Sequence, residues 1–444
     1  MKKIFLLWMC CLVGFATQAQ KKVEFVEYDL PNGLHVILHK NTTTPIVAVS
    51  IMYHVGSKNE NPERTGLAHF FEHLLFEGSE NIKRGEFSEY VENAGGTLNA
   101  NTTNDRTYYY EIMPSNQLEL GLWLESERLM HAKVEKVGIE TQREVVKEEK
   151  RQRYSRPYGS ILAETMKRMY KEHPYQWSVI GSMEHLSAAK EQDFIDFYKT
   201  FYVPNNAVLS IAGDLDIEKT KKLVEKYFSD IKRGTKEIPR PTIVEPALGQ
   251  EVRDTVYDNI QLPAVIQAYR IPEQGTEDYY AMDMLAQLLS TGESSRLNKS
   301  VKDEQQKALF VGTFPLNLED PGVALAFGIT NMGVSPADLE EAMDAEYEKV
   351  KKELISEKEF QKLKNQIENG FVSSNSRMAG IAESLANYHM YYGDANLINT
   401  EIERYMKVTR EDIKRVANKY LDKNNRVVLY YLPKSQDPNA KKDN

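Results

Sequence analysis

The spacing of apolar residues changes several times along this chain, and each change predicts an element. FVEYDLPNGLHVILHK reads as two strands around Asn32-Gly33, the signal of a β-hairpin. PIVAVSIMYHVGS reads as a further strand. Over residues 66–77 the period lengthens to that of a helix, ended near Gly78, and a second helix is predicted near 85–94 before a Gly95-Gly96 break. TLNANTTNDRTYYYEIMP alternates and is rich in Thr and Tyr, as paired strands are. Long helical patterns occupy about 116–130 and 135–154, and YVPNNAVLSIAGDLD is a strand with turn residues at both ends.

Residues 229–250 hold three prolines and lack a clear period, and the linker is placed at 231–250. Beyond it the order recurs. AVIQAYRIP is a strand, EDYYAMDMLAQLLSTG a helix, ALFVGTFPLN and GVALAFGITN are strands, and NRVVLYYLP closes the chain as a strand after further helices. The expected fold is therefore α+β: two similar halves, at 20–230 and 251–444, each a mostly antiparallel sheet with helices packed on one face.

The first nineteen residues stand apart. Lys2 and Lys3 precede an apolar run from Ile4 to Ala16, and Thr17-Gln18-Ala19 offers a small residue before a cut, the pattern of a secretory signal peptide at 1–19. Both cysteines, Cys10 and Cys11, lie inside it. Trp8-Met9 fits a lipidation signal poorly, so ordinary cleavage is the reading. The mature chain would lack cysteine, leaving His and carboxylate as the donors for any metal. An exported product points to a bacterial periplasm, with the extracellular space as the alternative. No later stretch approaches ~18 apolar residues, so no stable membrane insertion is expected. Charged residues make up 27% of the 444, and the net charge of −9 is interleaved without a basic stripe, so nucleic acid is not an expected partner.

The candidate chemistry lies in GLAHFFEHLLFEGSENI, which places two histidines and a glutamate within five residues of an apolar run. Either the three polar groups share a metal, or the run is an ordinary helix with a histidine-rich polar face. On a helix, His69, Glu72 and His73 stand on one face. Imidazoles at i and i+4 can bind one zinc ion, and the glutamate beside them can take a proton from an attacking water. Burying two unpaired imidazoles among Leu67, Phe70, Phe71, Leu74 and Leu75 is costly unless something satisfies them. That cost favours the metal. A third ligand must then come from a carboxylate, and ETQREVVKEEKRQR offers several. Glu144 and Glu148 share a charged face with Arg151, whereas Glu149 lies with Gln142, Val145 and Val146. The periodicity selects Glu149. The other histidines, His35, His39, His54, His131, His173, His185 and His389, have no ligand-spaced partner and read as surface or packing residues.

Taken with GGTLNANTTNDRTYYYEIMP, QREVVKEE, HPYQWSVIGSMEHL, YVPNNAVLSIAGDLD and SSRLNKSVKDE, this segment resembles the M16 family of zinc peptidases, that of pitrilysin and the mitochondrial processing peptidases, in its subfamily of short two-domain chains. The resemblance implies one Zn2+ per chain held by His69, His73 and Glu149, with Glu72 as general base. It also implies that an extended peptide substrate adds to an exposed strand edge at Leu98, Asn99, Ala100 and Asn101. Two departures stand out. The positions of a substrate-holding arginine and tyrosine in the second half align with Lys302 and Phe310, which lack the bidentate fork and the hydroxyl. Family members so altered often work with a second related chain that supplies the missing pair, so a heterodimer is expected, a homodimer being the alternative. Gln142 stands where the resemblance leads one to expect glutamate, which bears on the surroundings of the metal and leaves the ligand set unchanged. The leading reading is an exported zinc endopeptidase for short or unfolded peptides. Its alternative is a non-catalytic peptide-binding or assembly subunit with the same fold.

Overall fold

A computed structural model describes residues 22–438. The leader expected at 1–19 lies outside them. The described residues form two sheets. The first contains β1 (Val26–Asp29), β2 (His35–Lys40), β3 (Ile46–Tyr53), β4 (Thr97–Thr102), β5 (Thr107–Pro114) and β6 (Ala207–Gly213) in the order β1-β2-β6-β3-β5-β4. The second contains β7 (Val252–Asp258), β8 (Ala264–Arg270), β9 (Ala308–Leu316), β10 (Val323–Thr330) and β11 (Arg426–Pro433) in the order β7-β11-β8-β10-β9. With β1 set aside, the two orders are the same. In each, the first strand lies parallel to the last, and all other neighbours are antiparallel. The two similar halves and the mostly antiparallel sheets agree with the sequence reading.

The hairpin joining β1 to β2 turns at Gly33, whose φ of 89° is open to glycine at little cost. Asn32 secures it. Its amide donates to the carbonyls of Phe228 and Ile231 at 2.7 and 2.9 Å and accepts from Leu34 N at 3.1 Å. Alternation then sorts β2: Val36 and Leu38 join the main core of the first half, while Ile37 joins a second core on the opposite face.

That second core was not foreseen. The helix Met378–Tyr392, from the C-terminal half, lays Ile381, Ala382, Leu385 and Ala386 against Ile37, Ala48, Met52 and Val208 of the first sheet. The helix Ile161–Met169, from the N-terminal half, does the reverse. Its Ile161, Met166 and Met169 pack with Ile266, Ala268, Val427 and Leu429 of the second sheet. Each sheet thus has its own half's helices on one face and a helix lent by the other half on its second face.

A buried charge cluster also joins the halves. Lys58, 4% exposed, sits 3.1 Å from Asp105, 2.5 Å from Glu319 and 3.1 Å from Asp320. Asp105 accepts the Tyr175 hydroxyl at 2.6 Å and the Glu319 backbone N–H at 3.1 Å, and His54 Nε2 reaches Glu319 at 2.9 Å. Burial favours protonation of Glu319 and Asp320. Hydrogen bonds from His54 and His173 and the Lys58 charge outweigh it, holding both pKa values down to about 2.

Because both carboxyl pKa values are depressed in the folded state, their contribution is full above the ordinary carboxylate range and is lost as pH falls toward about 2. Lys58→Met should lower the unfolding free energy at neutral pH by about 3–5 kcal/mol, because it strands three carboxylates. In denaturant titrations, the gap between variant and parent should narrow as pH falls through that window.

Candidate metal centre

The helix Leu67–Leu74 starts at Gly66, which has φ 98°; a Cβ there would meet the Ile180 carbonyl at 2.8 Å. Its first turn is held from a distance. The buried carboxyl group of Glu60 accepts from Gly66 N and Ala68 N at 2.8 Å each. Burial pushes the Glu60 pKa up to about 8 against the pull of those N–H bonds. Phe70 and Phe71 anchor the buried side of the helix on Phe194 and Phe197, and Tyr109 donates its hydroxyl to Phe71 O at 2.8 Å. The helix cannot rotate without breaking these contacts, so the direction of its polar face is set.

That face meets the helix Lys136–Ser155. His69 Nε2 and His73 Nε2 each lie 3.4 Å from the same oxygen, Glu149 Oε2, with the two rings at 70° to one another. The other Glu149 oxygen accepts from Arg153 at 3.0 Å. His69 Nδ1 is buried and has no hydrogen-bond partner among the described residues. Burial drives the His69 pKa down to about 4, so the ring is neutral at pH 7. A hydrogen bond from His73 holds Glu149 below the usual carboxylate range. Two nitrogen donors and one anionic oxygen, with ligand atoms all within 4.8 Å of one another, suit a tetrahedral zinc with one open position. Glu148 and Glu144 instead face solvent, paired with Arg151 and Lys147.

Glu72 faces the same space. Burial raises its pKa, and the Thr102 hydroxyl, donating to it at 2.6 Å, opposes that rise. Thr102 is absent from the sequence reading, although the two-residue period of β4 places it on one face with Leu98 and Ala100. Among the described residues β4 pairs only with β5, and its other edge carries no strand. Asn99 bonds its own strand at Ala100 N, and Asn101 accepts from Arg106, which also binds Glu383 on the helix Met378–Tyr392. Gln142 donates to Glu77 at 2.5 Å, and Glu77 pairs in turn with Arg84. A glutamate at 142 would set two carboxylates against each other, so Glu77 accounts for the amide.

A cavity of about 980 Å3 opens between the halves over His69, Glu72, His73 and Glu149, with Leu316, Asn317, Tyr388 and Tyr392 on the opposite wall. Lys302 and Phe310 do not line it. The Lys302 ammonium pairs with Glu293 at 3.2 Å, and Phe310 packs on Phe314 and Phe327 along β9.

Residues 35–182 match the family model described as insulinase, peptidase family M16, and residues 188–367 match the one described as the peptidase M16 inactive domain. The zinc protease PqqE of Helicobacter pylori is 30% identical over 408 residues, covering 91% of this chain and 92% of that protein. The chain belongs to peptidase family M16. This M16 chain is also similar to the crystal structure of a protease from Helicobacter pylori, with TM-score 0.89 and 29% identity over 92% of this chain and 100% of the other. The periplasmic protease PqqL from Escherichia coli shares the fold at TM-score 0.77 and 18% identity; 96% of this chain matches 49% of that one. Relatives bearing the name zinc protease agree with a donor set of two imidazoles and a carboxylate.

Glu60→Gln would turn an amide NH2 toward one of the two N–H groups that Glu60 now satisfies. It should cost about 1–3 kcal/mol in unfolding free energy, read by chemical denaturation.

Proposed function

We propose that this chain is an exported zinc endopeptidase acting on short or unfolded peptides. The observation that carries the reading is the convergence of His69, His73 and Glu149 beside Glu72 at the floor of a cavity between the halves. When bound there, zinc would polarise a scissile carbonyl and lower the pKa of a water. Glu72 receives the proton of the attacking water and delivers it to the leaving amine nitrogen. Thr102 holds the Glu72 carboxylate in place for both transfers. The open edge of β4, over Leu98–Asn101, offers backbone N–H and C=O groups to an extended chain, so selection is by conformation more than by sequence. The Asn99 and Asn101 side chains are engaged within the protein, and the strand's backbone does the binding.

Export to the periplasm is supported by the leader pattern at Ile4–Ala16 and by the periplasmic protease that shares the fold. Among the described residues no helix is long and apolar enough to cross a membrane. The altered pair Lys302 and Phe310, both outside the cavity, supports a two-chain enzyme in which this chain bears the metal and a related chain supplies the arginine and tyrosine.

Glu72→Gln should lower kcat by at least about 100-fold while zinc content stays at the parent level. Hydrolysis that survives this change would remove the assigned base, and a parent with no hydrolysis under any pairing would favour the peptide-binding alternative. Thr102→Val should lower kcat by about tenfold with zinc retained, the effect of losing one bond to a charged group. Peptidase assays with and without a co-expressed related chain test the pairing: turnover should rise sharply with the partner, and full turnover by the isolated chain would overturn it.

A further inference from the structure

Two arginines line the cavity between the halves, Arg106 and Arg153. Arg106 is committed within the protein. It donates to Asn101 at 2.8 Å and to Glu383 at 2.6 Å, and its guanidinium lies over the Tyr108 ring at 5.1 Å. Arg153 differs. Its side chain is 51% exposed, and among the described residues its one hydrogen bond runs from Nη2 to Glu149 Oε1 at 3.0 Å. Nε and Nη1 have no partner there. A guanidinium stays charged at any working pH, and its planar fork matches a carboxylate.

The chain around Arg153 is held in place. Just past it the backbone turns back over the Arg153 carbonyl, so closely that a Cβ on Gly159 would lie 2.0 Å from that oxygen. Tyr158 takes φ 61° in this turn, a conformation that a bulky residue keeps only when its surroundings hold it. The second half does so: Asp258 accepts from Tyr158 N at 3.0 Å, and the Tyr158 hydroxyl donates to Leu262 O at 2.7 Å. The turn leads into the helix Ile161–Met169, beside which a side pocket of about 120 Å3 opens next to Arg153. Leu162, Met166, Trp177, Val179 and Leu316 line it. Arg153, Leu162, Val179 and Leu316 also line the main cavity, so the two spaces join. Leu162 is 49% exposed there, apolar area that a bound side chain would remove from water.

A cation at the mouth of an apolar pocket suits a residue that carries an apolar side chain and a carboxylate together. In a peptide, that is the C-terminal residue. Because Arg153 is bonded to Glu149, a carboxylate gripped there lies about one residue from a carbonyl seated over the cluster, successive Cα atoms being about 3.8 Å apart. We propose that Arg153 and this pocket form a subsite for the C-terminal residue of a peptide, with its free carboxylate on the guanidinium and its aliphatic side chain among Leu162, Met166 and Val179. The inference rests on the peptidase reading above and adds to it the removal of single residues from free C-termini. In that step the oxygen of water joins the last peptide carbonyl carbon and the C–N bond breaks. The proton taken by Glu72 passes to the departing nitrogen. One free amino acid and a peptide shortened by one residue result.

Equilibrium binding by the zinc-loaded Glu72→Gln chain tests the subsite without turnover. Three fluorescent peptides, alike up to the last residue, end in leucine with a free carboxylate, in leucine carboxamide and in glutamate carboxamide. The first should bind at least about tenfold more tightly than the second, the effect of hydrogen bonds between charged groups. Arg153→Gln should remove that difference by weakening the first alone, and Arg153→Lys should restore part of it. Leu162→Asp sets a carboxylate in the same pocket and should remove the difference without touching Glu149. Equal binding of the first two peptides, or Arg153→Gln weakening both alike, overturns the proposal and leaves Arg153 as a holder of Glu149. Zinc content is read for every variant. If Arg153→Gln loses zinc, Leu162→Asp decides, and a difference that survives it overturns the proposal. Glutamate carboxamide binding as tightly as the free acid also overturns it, in favour of a subsite for acidic side chains. With the active chain, mass spectrometry of the free-acid peptide should show loss of one leucine, and cuts confined to internal bonds overturn the trimming. A carboxylate preference in binding with no hydrolysis under any pairing keeps the subsite and removes the peptidase reading. Hydrolysis with no such preference does the reverse.

Discussion

Two helices from distant parts of the chain must present their polar faces to one another for His69 and His73 to meet Glu149. Neither helix chooses that orientation alone. The first is clamped by Glu60 at its start, by Phe194 and Phe197 along its buried side, and by Tyr109 near its end. The second buries Ile139, Arg143 and Val146 and is tied through Arg143 to the carbonyls of Leu186 and Ala189. The polar cluster is therefore a by-product of apolar packing that is complete without it. Such a scaffold can tolerate two imidazoles and a carboxylate facing one another, and it keeps them ready for a cation.

The same logic works at the scale of the halves. A sheet with two apolar faces needs covering on both, and each half takes the cover of its second face from the other. Exchange of one helix each solves the problem symmetrically and places the walls of the cavity under shared control. Lys58 adds a charged bolt beside the floor of that cavity, where Asp105 and the Glu319–Asp320 turn meet.

Much of this was legible from residue order. The hairpin at Asn32-Gly33 and the repeated succession of strands and helices follow from period and turn residues. Glu149 could be told from Glu148 by helix face. The exchange of helices could not be read, because an amphipathic pattern shows that a helix is covered and not which sheet covers it. Glu60 sits in the polar stretch GSKNENPER, where an acid looks solvated; only the fold reveals that it caps a helix six residues on. Thr102 was within reach of strand alternation.

The exchanged helices have a consequence for how the molecule holds together. Suppose a protease nicked the proline-rich stretch between the sheets. Each fragment would still be threaded through the other by a buried helix, Ile161–Met169 in one direction and Met378–Tyr392 in the other. The fragments would remain interlocked, and parting them would mean stripping two hydrophobic cores at once. In that sense one chain already has the architecture of an obligate two-piece assembly, with the connecting peptide serving as a tether.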